Sequence, residues 1–370
     1  MPNLGILLFL FHNTGIQQET KNIDRRVKMK YMSPWIFTTN QCNLRCPYCY
    51  VKWNDNKMSK ETYDKINSTF LGMLDRGELD FVVYRLAGGE PTLVFNEWKG
   101  FVEDFLANCG SKGFVSIITN LTILTDNMLD FFEKHKDRIG FGVSLDGYSY
   151  SKPFINGQSS AEIVKENIDK LLKIGIKNID ISTVVDANSF GDVDVLSEWI
   201  SQRNLGWGVY LDHFFCGEID YDIICDKMKQ VVSVLGANHF DIYHRFKFNN
   251  IKIDTNYEGC TAGEKLITVG VDGNIYPCQT LVNEEPICNI FSCDDIIQAL
   301  RVQKAYKIGY NYTLPEKCEG CSIAEICGGG CKMHNKEINK NFTCDIMKTV
   351  ILYMIKTILN HEGGTEYAEL

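Results

Sequence analysis

The chain has no excess of basic charge. Its 38 Lys and Arg face 47 Asp and Glu, for a formal net charge of −9 over 370 residues. A phosphate-binding surface needs clustered Lys and Arg, so no nucleic-acid partner is expected. A membrane span is missing too. "GILLFLF" at 5–11 is the one candidate signal core, and it is too short to cross a bilayer. It has no basic flank before it and no small-residue cleavage site after it. It reads as a buried strand or as a start-site artefact, and the protein is expected in the cytoplasm with no membrane partner. Internal repeats and low-complexity tracts are absent. With 45% apolar and 23% charged residues, nothing points to long disorder. Cysteine, by contrast, is plentiful at 15 residues. That density fits an oxidised disulfide scaffold or thiolates held by metal. Disulfide scaffolds are small and secreted, and this chain is neither.

The length suits one large domain plus a smaller one, or two of ordinary size. Between residues 34 and 236, β-rich runs alternate with amphipathic stretches. "PWIFTT" (34–39), "FVVYRLAGG" (81–89), "GFVSIITN" (113–120), "IGFGVSLDG" (139–147), "NIDISTVV" (178–185) and "WGVYLDHFF" (207–215) read as strands. Residues 59–77, 95–109, 125–137, 160–175 and 192–204 read as helices, several opened by Ser, Thr or Asp, and that at 160–175 stopped by Gly. Such alternation implies an α/β fold with a parallel sheet and crossover helices. The count matches a partial (β/α)6 barrel, with an open doubly wound sheet as the alternative. Beyond residue 250 cysteines become dense, and "VDGN" inside "KLITVGVDGNIYPC" (265–278) signals a hairpin. Helical periodicity is read again only near the end. The expected boundaries are an N-terminal extension at 1–33, the barrel at 34–240, a small cysteine-rich domain at 250–345, and a C-terminal helix and tail at 346–370.

Three thiols stand close together in "TTNQCNLRCPYCYV" (38–51): Cys42, Cys46 and Cys49. A structural zinc needs four protein ligands, and no His lies within twenty residues of this loop on either side. A distant fourth ligand would complete a zinc site. An iron–sulfur cluster with one iron left open is the more direct fit, since cubanes normally take four thiolates. The loop follows the first strand, at the face where barrel enzymes keep their chemistry.

With "CNLRCPYC" and "GGEPTL" (88–93), the chain from residue 34 to 345 resembles the radical S-adenosylmethionine (radical SAM) superfamily. The resemblance implies that the open iron chelates SAM, which an electron splits into methionine and a 5′-deoxyadenosyl radical. It also implies SAM contacts. Tyr48 takes the aromatic position near the adenine, and Gly88, Gly89, Glu90 and Pro91 take the methionine end, where polar groups on the turn meet the ammonium. Thr119, Asn120, Ser144 and Asp146 are placed for ribose or carboxylate, and Leu211 flanks the adenine. Relatives often carry Arg or His in the loop after "SLDG"; here that loop reads "YSYSKPFINGQ" (148–158).

The C-terminal region reads Cys260-x12-Gly273-x4-Cys278, then Cys318-x2-Cys321-x5-Cys327-x3-Cys331, then Cys344. This order is similar to the SPASM domain, which holds two auxiliary [4Fe–4S] clusters in radical SAM enzymes, so three clusters are expected in all. The family's interleaved wiring implies Cys260, Cys278 and Cys331 for the first auxiliary cluster. Cys318, Cys321, Cys327 and Cys344 would hold the second. Cys288, Cys293, a water or a substrate thiolate could fill the first cluster's fourth place. Cys-x2-Cys pairs on their own are also zinc-ribbon signals. Cys109 and Cys225 read as small core residues, and Cys216 lies at the barrel mouth.

SPASM enzymes mainly modify peptides, so the expected partner is a peptide or protein substrate. A low-potential donor such as ferredoxin or flavodoxin would supply electrons. Sulfatase-maturing relatives carry an Asp as base directly after the cysteine matching Cys278. Here Gln279 stands there, and an amide cannot take that role. Asp212 and His213 are substitutes from the barrel; with Cys216 they complete the candidates near substrate. The expected reaction is hydrogen abstraction from a ribosomally made peptide, leading to a cross-link or an oxidation. The alternative is formylglycine formation in a sulfatase. Residues 1–33 are too few for a leader-binding module, so a leader is expected to be read by the barrel and C-terminal domain or by a separate protein.

Overall fold

The computed structural model describes residues 30–185, 190–211 and 261–303. It also describes shorter runs at 222–223, 240–242, 246–249, 252–253, 308–309, 313–314, 316–324, 348–349 and 351–353, and a few single positions. The apolar run at 5–11, Cys225, and most of the expected C-terminal helix and tail lie outside the described residues.

The apolar, β-branched runs form parallel strands. These are β1 (Tyr31–Thr39), β2 (Phe81–Gly88), β3 (Gly113–Thr119), β4 (Ile139–Ser144), β5 (Ile179–Val185) and β6 (Gly206–Leu211), each paired with its sequence neighbour. β1 begins three residues before the expected strand, at Tyr31. The crossovers are α1 (Lys60–Asp75), α2 (Phe95–Asn108), α3 (Asp126–Lys134), α4 (Ala161–Lys173) and α5 (Val193–Gln202). The protein is thus α/β, with the partial barrel the alternation predicts. Side chains alternate across each strand. Tyr84, Leu86, Val115, Phe141 and Ile181 join the main core with the helices. Their neighbours on the opposite face include Arg85, Ser116, Gly140, Gly142 and Gly208, so much of that face is small or polar.

Tyr84 stacks on Phe105 at 3.8 Å and on Phe101 at 5.3 Å between centroids, seating α2 on the sheet. Ser59 and Thr125 cap α1 and α3, accepting from Thr62 N at 3.1 Å and Met128 N at 3.4 Å. Ser160 makes no such bond, and Asp192 instead accepts from Ser149 N at 2.6 Å. The cap expectation therefore fails at α4 and α5.

The sheet does not stop at β6. Its order is β12-β11-β10-β1-β2-β3-β4-β5-β6-β7-β8-β9, including β7 (Phe240–Ile242), β8 (Phe246–Asn249), β9 (Lys252–Ile253), β10 (Leu266–Val269), β11 (Asn274–Tyr276) and β12 (Cys288–Asn289). β10 and β11 are the hairpin announced by "VDGN", with Gly273 at φ +80°. β10 also runs parallel to β1, through pairs from Ser33–Leu266 to Ile36–Val269. The cysteine-rich segment is therefore hydrogen-bonded to the barrel's first strand. A short helix, α6 (Ile296–Arg301), is capped by Asp295, which accepts from Gln298 N at 2.9 Å. At six residues it is too short to show the periodicity that marks a helix in sequence. Among the described residues, no helix is long and apolar enough to cross a membrane.

Because Tyr84 is buried within this aromatic stack, Tyr84→Ala leaves a large cavity. It should lower stability by about 3–5 kcal/mol, seen as an earlier denaturation midpoint by tryptophan fluorescence. A midpoint unchanged from wild type would contradict the packing described.

Candidate functional site

The loop after β1 is bonded at both feet to that strand's end. Asn40 N donates to Asn56 O, and Met58 N to Thr38 O, both at 2.9 Å. Cys42, Cys46 and Cys49 lie on this loop, each half-buried.

The turn after β2 grips the loop's start. Gly89 N donates to Thr39 O at 2.8 Å and Glu90 N to Gln41 O at 2.7 Å. A Cβ on Gly89 would sit 1.9 Å from Gln41 O. One on Gly88, at φ +129°, would sit 2.2 Å from Thr39 O. Only glycine permits this approach. Glu90 comes next in the chain, fully buried. Its Oε1 accepts from Thr92 N (3.0 Å), Thr92 Oγ1 (2.7 Å) and Thr119 Oγ1 (2.6 Å), and its Oε2 from Asn120 N (2.7 Å). Burial pushes the Glu90 carboxyl above its usual range, and these four donors oppose the rise. The Glu90 side chain ties the ends of β2 and β3 together. Pro91 O accepts from Trp98 Nε1 at 2.8 Å, fixing the turn to α2.

Asn120 carries the tie to the cysteines. Its Nδ2 donates to Asn43 Oδ1 at 3.0 Å and faces Cys42 Sγ at 3.9 Å. Its Oδ1 accepts from Thr122 Oγ1 at 2.7 Å, and Asn43 Nδ2 reaches Thr122 Oγ1 at 2.8 Å. Asn43 and Thr122 are not among the residues the sequence singles out. A lone amide between two cysteines of one loop is the only signal it carries for them.

Tyr48 and Asp146 meet. The Tyr48 hydroxyl donates to Asp146 Oδ2, and Lys152 Nζ donates to the Tyr48 hydroxyl and to both Asp146 oxygens, at 2.9 and 3.1 Å. Asp146 Oδ1 also accepts from Val184 N at 3.0 Å, at the end of β5. Lys152 belongs to the loop where relatives often carry Arg or His. Ser144 ends β4, half-buried beside Ser182. Leu211 ends β6, but its side chain is outside the described residues, as are Asp212, His213 and Cys216.

The thiols are suited to a cationic multi-metal group. Burial pushes Cys42 up to about 11 and Cys46 up to about 12, so without a cation both stay protonated near neutrality. A coordinated thiol is deprotonated outright. Leu44 N already points at Cys42 Sγ, 3.4 Å away, as a donor to a thiolate would. Among the described residues, no three His, Cys, Asp or Glu side chains converge as a site for a single ion. A cubane instead gives each of three thiolates its own iron.

In the second cysteine field, Cys278 opens a 3-10 turn and its Sγ lies 3.3 Å from Gln279 Oε1 and 3.4 Å from Thr280 Oγ1. Cys318 and Cys321 share a turn, with Cys321 N donating to Cys318 O at 3.1 Å, and Cys344 is exposed. Cys260, Cys327, Cys331 and the glycines at 328–330 are outside the described residues. Cys288 and Cys293 pack against the main core beside Ile275, whereas Cys278 packs with Tyr276, Leu281 and Ile308. Cys109 is buried at the end of α2, as a core residue should be.

Residues 36–200 match the Radical SAM superfamily model. The chain is 22% identical to the cysteine-type anaerobic sulfatase-maturating enzyme of Clostridium novyi, over 86% of this chain and 96% of that one. It is 23% identical to the subtilosin biosynthesis protein AlbA of Bacillus subtilis, over 82% and 67%. Its fold is similar to that of native anSMEcpe with bound AdoMet and Cp18Cys peptide, with a TM-score of 0.72 at 20% identity, covering 90% of this chain and 98% of the other. Streptococcus suis SuiB bound to precursor peptide SuiA superposes with a TM-score of 0.57 at 18% identity, over 85% and 74%.

The close approach at Gly89 gives a direct check. Gly89→Ala should displace residues 39–42 and sharply cut the iron retained per chain after anaerobic reconstitution. The far-ultraviolet circular dichroism should stay at wild-type strength, because the core beneath is untouched. Full iron loading in this variant would refute the grip as described.

Proposed function

We propose, for a chain that is an enzyme of radical SAM type, the maturation of a peptide or protein by hydrogen abstraction. The observation that carries this reading is the three-thiol loop, clamped at the end of β1 by the turn after β2. Cys42, Cys46 and Cys49 hold a [4Fe–4S] cluster with one iron left for SAM. When bound, that group supplies the electron that splits SAM and yields the radical that takes a hydrogen from substrate. Tyr48 and the main chain of Gly88 and Gly89 border the SAM site. Glu90, Thr119 and Asn120 hold those borders in place, and Ser144, Asp146 and Leu211 lie at the ends of the next strands.

Two auxiliary clusters complete the proposal, one on Cys260, Cys278 and Cys331 and one on Cys318, Cys321, Cys327 and Cys344. A low-potential ferredoxin or flavodoxin is the fitting donor, and the reducing cytoplasm the fitting compartment. Similarity to AlbA, named for subtilosin biosynthesis, and to SuiB, solved bound to precursor peptide SuiA, supports this substrate class. Formylglycine formation is the second reading, favoured by the similarity to sulfatase maturases along most of the chain. Gln279 weighs against it, because the amide beside Cys278 cannot accept the substrate proton.

Reduced, reconstituted enzyme with SAM and the peptide encoded beside its gene should lower that peptide's mass by one hydrogen pair. Formylglycine in a sulfatase-derived peptide would select the second reading, and neither product alongside abundant deoxyadenosine would reject both substrates. Cys46→Ala should abolish deoxyadenosine formation, and persistence of SAM cleavage would sink the cluster assignment. Cys278→Ala should leave deoxyadenosine formation intact while product formation falls at least tenfold, measured by liquid chromatography of both.

A further inference from the structure

The turn after β3 holds a backbone conformation that costs free energy. Leu121, fully buried, sits at φ +50°, a left-handed conformation that a bulky side chain rarely adopts. Such strain persists only where the surroundings fix it. Here they do. Leu121 N donates to Thr119 Oγ1 at 2.8 Å, and Leu121 O accepts from Asn167 Nδ2 of α4 at 2.9 Å. Asn167 is itself buried, and its Oδ1 accepts from Lys170 Nζ at 2.9 Å, so its amide can face only one way.

The bend at Leu121 carries Thr122 back against Asn120. Thr122 N, a main-chain group that can only donate, reaches Asn120 Oδ1 at 3.0 Å. That contact fixes the oxygen of the Asn120 amide on the Thr122 side and turns its nitrogen to the cysteine loop. Three side chains then close a ring in which each donates to the next. Asn120 Nδ2 donates to Asn43 Oδ1 at 3.0 Å, Asn43 Nδ2 to Thr122 Oγ1 at 2.8 Å, and Thr122 Oγ1 to Asn120 Oδ1 at 2.7 Å. Bonds linked in this way polarise and strengthen one another. The second hydrogen of Asn120 Nδ2 is left outside the ring, on the side of Cys42 Sγ, 3.9 Å away.

We propose that Asn43, Thr122 and Asn167 are positioning residues that act through Asn120. They hold its remaining N–H at Cys42 Sγ, beside the donor from Leu44 N, and so ease electron uptake by the cluster. The inference rests on the cluster reading above. A cluster that gains an electron gains negative charge, and N–H donors at its sulfurs favour that form. Groups that orient such a donor tune the metal site without touching it. A turn that only shaped itself would need no bond to Asn43 or to α4. Those two outward bonds are the ones that aim the amide.

The test is a potentiometric titration read by electron paramagnetic resonance, following the signal that changes when SAM is added. Iron counting on the wild-type protein comes first. A chain that binds no iron overturns the cluster reading and this inference with it. In iron-loaded protein, Thr122→Val and Asn43→Leu should each lower the reduced-to-oxidised ratio about threefold at fixed potential, about 30 mV for one electron. Thr122→Ser keeps the hydroxyl and should keep the wild-type midpoint. Asn167→Leu removes a side chain that makes no hydrogen bond to the cysteine loop, and it should shift the midpoint in the same direction. It carries the test alone if the other two fail to load iron. An unchanged midpoint in any of these three once loaded overturns the assignment and leaves the cluster reading standing. A shift in Thr122→Ser as large as that in Thr122→Val does the same. So does failure of all three to load, because the ring would then build the site rather than tune it.

Discussion

The site depends on one main-chain contact: residues 88–90 against residues 39–41. β1 and β2 pair in register until Phe37, then slip, so that Phe37 faces Ala87 while Thr39 faces Gly88. The extra residue bends the strand end and re-aims the loop beyond it. Two glycines let the bent chains close to hydrogen-bonding distance, and the first cysteine comes directly after the contact. The position of Cys42 is thus inherited from the sheet itself, which is the most rigid support a binding loop can have. Glu90 extends the same logic to β3. By accepting four hydrogen bonds with no exposed surface, it makes three strand ends into one unit.

Burial of the thiols has an electrostatic consequence that the surrounding residues answer. Burial raises the Cys42 and Cys46 thiols so that both stay neutral on their own, and holding them as thiolates requires positive charge. Iron supplies most of it in the proposed state. Protein dipoles supply some, through Leu44 N and Asn120 Nδ2 at Cys42. At Cys46 the nearby formal charges are Lys152 and Asp146, bonded to each other. The arrangement is asymmetric: the Cys42 side is supplied with N–H donors and the Cys46 side with an ion pair.

The legible part of this structure is periodic or punctuated. Six strands and five helices can be read because apolar spacing changes from two to nearly four between them, and the hairpin because Gly273 sits where a turn needs φ above zero. The cysteine loop and the Gly-Gly-Glu turn are legible as motifs, although the buried role of Glu90 is not. A carboxylate in a turn looks exposed in sequence, and only the convergence of Thr92, Thr119 and Asn120 shows otherwise. Lys152 escapes notice for a related reason. The family pattern directs attention to Arg or His, and a single Lys among Ser, Tyr and Pro carries no spacing signal. The parallel pairing of β10 with β1 is illegible in principle, since it joins segments more than 200 residues apart with no local code for partner choice.

That pairing matters for how the two cysteine fields relate. Cys49 and Val282 both pack against the cluster of Phe37, Val51 and Ala87, and Val282 also packs against the cluster that contains Cys278. Asn283 Nδ2 donates to Tyr50 O at 2.7 Å, across 233 residues of sequence. The cysteine loop and the segment after Cys278 are thus joined by a strand pair, an apolar contact and a hydrogen bond, rather than by a linker. Domains connected by linkers move relative to each other by default, whereas elements of one sheet do not. The cysteine loop and the segment after Cys278 are therefore held as parts of one sheet.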